Sequence, residues 1–242
     1  MKKSALSIPI IIVIAIIAAV ILARYGVFFE RVPKPKPLQK TELVKFFPFS
    51  EENALKEWEE KIFRGKVVYR IEQGKDLSYV RATSDKAASA LYYKLKLDAK
   101  NKNPVISWKW NVDRFPEKKT KESLETENED DFAARVYVIF SAMFFTNSKV
   151  LEYIWAETLP EGMIGTSPYS KNIKLIVTKS GPNPERKWFQ EDRDIAADYM
   201  KAFGRSPEYD IGAVAFMTNT EHTGTSADAM YDEINLGYRE TE

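Results

Sequence analysis

Acidic residues with arginines among them form two groups along the chain, and such groups can bind cations or perform acid–base chemistry. The first group contains Asp130, Asp131 and Arg135, and the second contains Glu191 and Arg193. Two carboxylates with different pKa values serve as acid and base in glycoside cleavage, and carboxylate oxygens also bind calcium. A structural ion-pair network is the third interpretation. We rank the network first, ligand or cation binding second and catalysis third, so no catalytic residue is assigned.

Four tryptophans provide a second set of candidate ligand contacts: Trp108, Trp110, Trp155 and Trp188. Aromatic faces can stack on the C–H faces of sugars. Tryptophans in strands of a sandwich usually lie in the core, however, and two of these fall on one face of one strand at a spacing of two. Core packing is therefore the favoured interpretation, and a sugar-stacking surface is the alternative.

A polar loop at residues 219–226, with the sequence NTEHTGTS, contains Asn219 and the single histidine, His222. Its amide, hydroxyls and imidazole could line a sugar site, although a capped turn is the favoured interpretation. One histidine is too few for a multi-histidine metal centre and leaves little basis for a Ser-His-Asp triad. The sequence therefore predicts no metal ligands and no cofactor, with calcium as the only ion considered.

The 242-residue chain has 36 basic and 35 acidic side chains, which give a formal net charge of +1. Nucleic-acid-binding domains concentrate positive charge, so this balance argues against a nucleic acid partner. Cysteine is absent, which excludes disulfides and thiolate zinc sites. The composition defines no oligomeric state.

An uncharged apolar stretch at residues 5–23 follows a basic amino terminus and ends at Arg24. A helix needs about 20 apolar residues to cross a bilayer, whereas a cleavable signal has an apolar core of about 7–15 residues. Residues 1–24 are therefore predicted to be a single-pass anchor rather than a signal peptide. The basic head favours an inner-membrane orientation with the domain on the periplasmic or extracellular side.

Residues 25–43 form a predicted linker, because the run RVPKPKPLQK favours an extended, solvated polyproline conformation. The remainder, residues 44–242, is predicted to be one β-sandwich domain. Apolar and polar patterning predicts strands at residues 66–72, 78–83, 90–97, 104–112, 130–145, 150–158, 173–179, 211–219 and 231–237. Short helices are predicted at residues 50–63 and 188–203. Strands without regular helical crossovers favour a mainly-β, jelly-roll-like antiparallel sandwich.

Several motifs resemble those of a bacterial family described only as domain of unknown function 3047. They are WKW at residues 108–110, DDFAARVYVIF at 130–140, YIW at 153–155, Trp188 with residues 191–193, MTNTEHTG at 217–224 and the closing residues 231–234. The family pattern has aspartate where this chain has Asn219 and Glu221, and asparagine at the position of His222. The resemblance implies a fold and a compartment and no particular chemistry. A looser similarity, carried by residues 232–236, is to galactose-binding-like jelly rolls.

These observations predict a membrane-tethered domain outside the cytoplasm that binds a saccharide or another envelope polymer. The predicted cleft lies near Asp130, Asp131, Arg135, Glu191 and Arg193. One alternative is a hydrolase or lyase that acts on a polysaccharide through two of these carboxylates. Another is a structural partner within an envelope complex.

Overall fold

The computed structural model describes residues 41–74, 77–127 and 130–240. The predicted anchor and nearly all of the predicted linker lie outside this part of the chain. Within the described residues, no helix combines the length and apolar character needed to cross a bilayer.

Thirteen strands make up most of the described residues. In chain order they are β1 (Thr41–Phe47), β2 (Glu59–Arg64), β3 (Val68–Gln73), β4 (Ser78–Asp85), β5 (Ala88–Leu97), β6 (Pro104–Arg114), β7 (Ala134–Phe140), β8 (Lys149–Ala156), β9 (Ile164–Thr166), β10 (Ile173–Ser180), β11 (Phe189–Asp194), β12 (Ile211–Asn219) and β13 (Ser226–Arg239). One α-helix, α1 (Ile195–Phe203), and two 3₁₀ turns, Ala54–Glu57 and Phe145–Asn147, complete the described elements.

The strands form two sheets, which confirms the predicted mainly-β sandwich. The six-stranded sheet has the order β11-β6-β13-β4-β3, with β1 also paired to β13. The seven-stranded sheet has the order β2-β5-β12-β7-β8-β10-β9. One pair, β8 and β10, is parallel, which differs from the predicted antiparallel sheets. After β8 the chain forms β9 at the edge of the sheet. It then turns back as β10, which lies between β8 and β9.

The core between the sheets is rich in aromatic rings. Trp108 and Trp110 alternate with outward-facing residues on β6, as their spacing predicts, and their ring centroids are 5.2 Å apart. Across the sandwich, Trp108 contacts Tyr153 at 5.2 Å and Trp110 contacts Trp155 at 5.7 Å between centroids. These contacts join the middle strands of the two sheets, so the tryptophans hold the layers together.

The helix predicted at residues 50–63 is wrong, because only the 3₁₀ turn Ala54–Glu57 precedes β2. The prediction used the helical spacing of Leu55, Trp58 and Ile62. Trp58 is buried against Phe47 and Phe216, with ring centroids 4.8 and 4.9 Å away. The residues after Trp58 then pair with β5, and Ile62 remains exposed on that edge strand.

The helix predicted at residues 188–203 is correct only in its second half. Residues Phe189–Asp194 are strand β11, and α1 begins at Ile195. The Asp194 carboxylate caps the helix by accepting a hydrogen bond from the Ala197 N–H at 2.9 Å. The helix ends at Gly204, as predicted, where φ is +72°.

The predicted central strand is β7, which lies in the interior of the seven-stranded sheet between β12 and β8. It is shorter than predicted, so Asp130 and Asp131 precede it at one end of the sheet. Arg135 lies within it and projects from the outer face, opposite the core. A small second cluster packs on that outer face: Leu124, Phe132, Ile154, Ala156, Leu159, Leu175 and Val177.

Candidate functional site

The four candidate tryptophans are not gathered on one surface. Trp108, Trp110 and Trp155 are at most 1% exposed and lie in the core. Trp188 is half-buried and meets Tyr79 edge-on, with ring centroids 5.4 Å apart. The faces of the first three rings are therefore closed to a sugar by their core contacts, and only Trp188 reaches the surface.

Arg135 forms a nearly sealed ion-pair network on the outer face of the seven-stranded sheet. Its Nη1 lies 2.7 Å from Glu152 Oε1, and its Nη2 lies 3.1 Å from Asp130 Oδ1. Nη2 also donates to the Asp130 carbonyl, and Nη1 donates to the Tyr137 hydroxyl at 3.3 Å. The three charged side chains are only 3–9% exposed. This arrangement matches a structural network more closely than an open cleft.

One guanidinium serves two carboxylates in this network, so one negative charge is in excess. Burial raises the pKa of Glu152 above its usual value, and the nearby Asp130 charge adds to the shift while Arg135 opposes it. Burial lowers the pKa of Arg135, but the two carboxylates outweigh it and hold that pKa well above its usual value. The network therefore combines a permanently charged Arg135 guanidinium with a Glu152 carboxyl whose pKa is raised to about 7.

Glu191 and Arg193 lie on the opposite side of β8, facing the core. Arg193 makes two hydrogen bonds to the Asp198 carboxylate, at 2.9 and 2.7 Å. The Tyr153 hydroxyl also donates to Asp198, at 3.1 Å. Because Glu152 and Tyr153 are neighbours in one strand, they project to opposite faces. The sheet thus separates this group from Arg135, and the predicted cleft that joined all five residues is wrong.

Glu191 should make the protein less stable as the pH rises. Burial raises its pKa to about 7, with Arg193 opposing the shift. A raised folded-state pKa gives stability that is present below the unfolded pKa and is lost as the pH passes the folded value. We expect Glu191→Gln to remove about 2–3 kcal/mol of the decline in unfolding free energy between about pH 5 and about pH 8.

Urea unfolding at the two pH values measures this decline. Glu185→Gln is the matched control, because Glu185 is an exposed glutamate whose side chain pairs with Lys187 at the surface. An unchanged pH dependence in Glu191→Gln would contradict the role assigned to burial.

Asp131 is fully buried at the end of the seven-stranded sheet and organises the loop that follows β12. Its Oδ2 accepts hydrogen bonds from the backbone N–H groups of His222 and Thr223, at 3.1 and 2.6 Å. Its Oδ1 accepts from Asn219 Nδ2 at 2.9 Å, and the same amide nitrogen donates to Glu221 Oε2 at 2.9 Å. Asp131 and Asn219 therefore fix the positions of Glu221 and His222.

Three neighbouring side chains at this end, those of Tyr169, Glu221 and His222, reach solvent, and we call them the His222 rim. Tyr169 comes from the loop before β10, is 50% exposed, and its hydroxyl lies 2.6 Å from His222 Nε2. Burial and nearby carboxylates raise the pKa of Tyr169, which keeps its hydroxyl protonated and able to donate. The other imidazole nitrogen, Nδ1, faces Asp131 Oδ1 at 3.4 Å and Glu221 Oε1 at 3.5 Å.

Two residues of the His222 rim, together with the buried Asp131 beneath them, provide three ligand atoms that could hold a cation. One atom each from Asp131, Glu221 and His222 lies within 4.8 Å of the others. Burial raises the pKa of Glu221, and the Asp131 charge adds to the shift, so the two carboxylates repel each other. A mixed imidazole and carboxylate set suits zinc or manganese better than calcium, which prefers oxygen ligands.

Sequence reasoning found part of this site. It named Asp131, Asn219 and His222 but placed Asp131 in a different group from the other two, and it missed Tyr169, Glu221 and Glu152 as site residues. Glu152 had a usable signal, because it is a single acidic residue inside the apolar strand VLEYIWA. Tyr169 had none, because its partner lies 53 residues away in the chain.

Comparison with solved structures finds matches that are remote in sequence. The family 11 carbohydrate-binding module from Clostridium thermocellum has 13% identity and a TM-score of 0.41, with 81% of this chain and 94% of that one covered. A xylan-binding domain from Paenibacillus barcinonensis has 11% identity and a TM-score of 0.45, covering 84% and 99%. The xyloglucanase domain of a Sinorhizobium fredii effector has 10% identity and a TM-score of 0.43, covering 75% and 92%. Likenesses of this size say nothing about the ligand of this chain.

Comparison with curated proteins finds no match. A family model described as "Protein of unknown function (DUF3047)" matches residues 56–235, which include most of both sheets and the His222 rim. The match covers most of the chain and includes the DDFAARVYVIF motif, which contains Asp131 and Arg135. The chain therefore belongs to the DUF3047 family.

Proposed function

We propose that this protein is a membrane-tethered, extracytoplasmic domain that binds a saccharide or another envelope polymer at the His222 rim. The observation that carries the proposal is the exposed ring of Tyr169 beside hydrogen-bonding groups that buried partners hold in place. Groups fixed before binding lose little conformational freedom when a ligand arrives, so their contacts contribute more to affinity.

A polyhydroxylated ligand suits the chemistry of this rim. The Tyr169 ring offers an apolar face, and Glu221 and His222 offer an acceptor and an imidazole beside it. Sugars present both C–H faces and hydroxyls, so one ring and two polar groups can contact a single residue of a glycan. The side chains of His222 and Glu221 are 24% and 14% exposed, which leaves them within reach of a surface ligand.

The tether and the compartment rest on the apolar stretch at residues 5–23 and the basic residues that precede it. The first described strand begins at Thr41, so residues 25–40 are left as the spacer between anchor and sandwich. Sixteen extended residues reach at most about 55 Å, which limits how far the domain can lie from the bilayer.

Tyr169→Ala should weaken binding of the full chain to its glycan by about tenfold, which corresponds to roughly 1.4 kcal/mol. The reason is loss of the exposed Tyr169 ring and of the hydroxyl that orients His222. Tyr169→Phe should lose less, because it retains the ring. Retention on immobilised envelope glycans, with the detergent-solubilised chain, measures both.

Trp188→Ala is the matched control, because Trp188 is the other candidate ring that reaches the surface. Weaker binding in Trp188→Ala with normal binding in Tyr169→Ala would move the site to the six-stranded sheet. Retention of no glycan would contradict the proposal. Release of reducing ends from the glycans would instead favour the hydrolase or lyase alternative.

A further inference from the structure

Two neighbouring apolar side chains stand out from the sandwich at the loop between β7 and β8. Met143 is 93% exposed and Phe144 is 68% exposed. Single exposed apolar residues are common, but adjacent large ones at a loop tip usually mark a contact surface. We call these two residues the apolar tip.

Backbone and side-chain hydrogen bonds hold the loop around this tip. The Ala142 N–H donates to Ser148 Oγ at 3.1 Å, and the Asn147 N–H donates to the Phe144 carbonyl at 2.9 Å. Asn172 Nδ2 donates to the Thr146 carbonyl at 2.8 Å, which ties the loop to the segment before β10. These hydrogen bonds fix the loop in a conformation that leaves Met143 and Phe144 exposed.

Cationic side chains surround the base of this loop. Lys149 follows it directly and donates to Asn172 Oδ1 at 2.5 Å, next to Lys171, and Lys149 and Lys174 lie 5.6 and 5.9 Å from the Phe203 ring centroid. Burial and the charges of Arg205, Lys171 and Lys174 lower the pKa of Lys149, and the Glu208 charge opposes them. Among these four cations, only Arg205 has an ion-pair partner in the described part of the chain, Glu208 at 3.0 Å. The base of the loop thus combines an apolar tip with three lysines that have no ion-pair partner among the described residues: Lys149, Lys171 and Lys174.

The same end receives the chain from the predicted tether. The tip follows Phe140, which pairs with Ile211, and Ile211 in turn pairs with Leu97. Thr41, the first described residue, pairs with Arg239, whose N–H donates to the Asn103 carbonyl in the loop after β5. The entry point of the chain and the apolar tip therefore share one end of the sandwich.

We propose that this end of the sandwich docks on an anionic bilayer, with Met143 and Phe144 entering the headgroup region and the four cations contacting acidic lipids. Apolar side chains flanked by lysine and arginine bind membrane surfaces by this combination of burial and charge attraction. The inference rests on the proposed tether in one respect: an anchored chain raises the concentration of the docking end near the lipid.

The absence of cysteine makes a direct test available, because one introduced cysteine gives a single label. The full chain is reconstituted with vesicles of equal parts phosphatidylglycerol and phosphatidylcholine, or of phosphatidylcholine alone. An environment-sensitive fluorophore is attached at Phe144→Cys. The matched control is Asp85→Cys, because Asp85 is exposed on β4 next to Ser226, at the opposite end of β12 and β13 from Ile211 and Arg239.

We expect a lipid-embedded quencher to reduce emission from the Phe144→Cys label at least threefold more than from the Asp85→Cys label. We also expect the difference to shrink in phosphatidylcholine alone, in high salt and in a Lys149→Glu, Lys171→Glu background. Equal quenching at the two positions on vesicles that retain the chain would overturn the docking and leave the tether intact. Retention by anionic vesicles alone, with the tip quenched, would support docking and contradict the tether. No retention by any vesicle would contradict both.

Discussion

Replacing Arg135 by methionine is expected to lower the free energy of unfolding by about 3–5 kcal/mol, because it leaves two buried carboxylates without their cation. Methionine keeps most of the volume of the arginine stem, so little of the loss should come from a cavity. Glu152 and Asp130 would then repel each other in a site that is 4–9% exposed. Urea unfolding near neutral pH measures the loss.

A double-mutant cycle separates charge from packing in this network. Glu152→Gln alone should be far milder than Arg135→Met, because it removes the excess negative charge while the Asp130 contact remains. In the Glu152→Gln background, Arg135→Met should lose roughly 1–3 kcal/mol less than in the natural chain. Arg193→Met is the comparison on the other face, where the arginine side chain is 26% exposed. Additive losses would mean that the Arg135–Glu152 ion pair contributes no coupling energy.

Asp131→Ala is expected to lower the unfolding free energy by about 2–4 kcal/mol, because it leaves buried donors without an acceptor. The His222 and Thr223 N–H groups and the Asn219 amide all donate to this carboxylate. Their loss should also release the loop, so hydrogen exchange at the His222 and Thr223 amides should accelerate more than at strand positions.

Glu221→Gln serves as the control for Asp131, since it changes the neighbouring carboxylate without removing those acceptors. It should change the unfolding free energy by less than about 1 kcal/mol, because Glu221 lies partly in solvent. Unchanged exchange at His222 and Thr223 in Asp131→Ala would show that the loop keeps its shape without the carboxylate. Such a result would also mean that the preorganisation of the rim does not depend on Asp131.

Local patterning predicted most of the strands, because alternation along a strand depends only on which sheet face is buried. Trp108 and Trp110 illustrate this. The spacing of Leu55, Trp58 and Ile62 led to the wrong prediction of a helix. The same spacing occurs on one face of a helix and in a short turn followed by an edge strand. Pairing with β5 decided between them.

Long-range placement could not be predicted from one sequence. Arg135 pairs with Glu152 and Arg193 with Asp198 because of the strand order and the sheet face that each residue occupies, and local spacing specifies neither. The same holds for Tyr169, which reaches His222 from another loop. The candidate residue types were therefore recognised, and their grouping was recognised only in part.

The pairing of β1 with β13 determines how the molecule would respond to mechanical force. The chain enters the sandwich at Thr41, and β1 runs antiparallel to β13 from Thr41 opposite Arg239 to Phe47 opposite Ile234. A pull on the tether while a polymer is held at the far end would load β1 along its own axis. The hydrogen bonds between the two strands lie across that axis, so they would resist in shear and would have to fail together rather than one at a time.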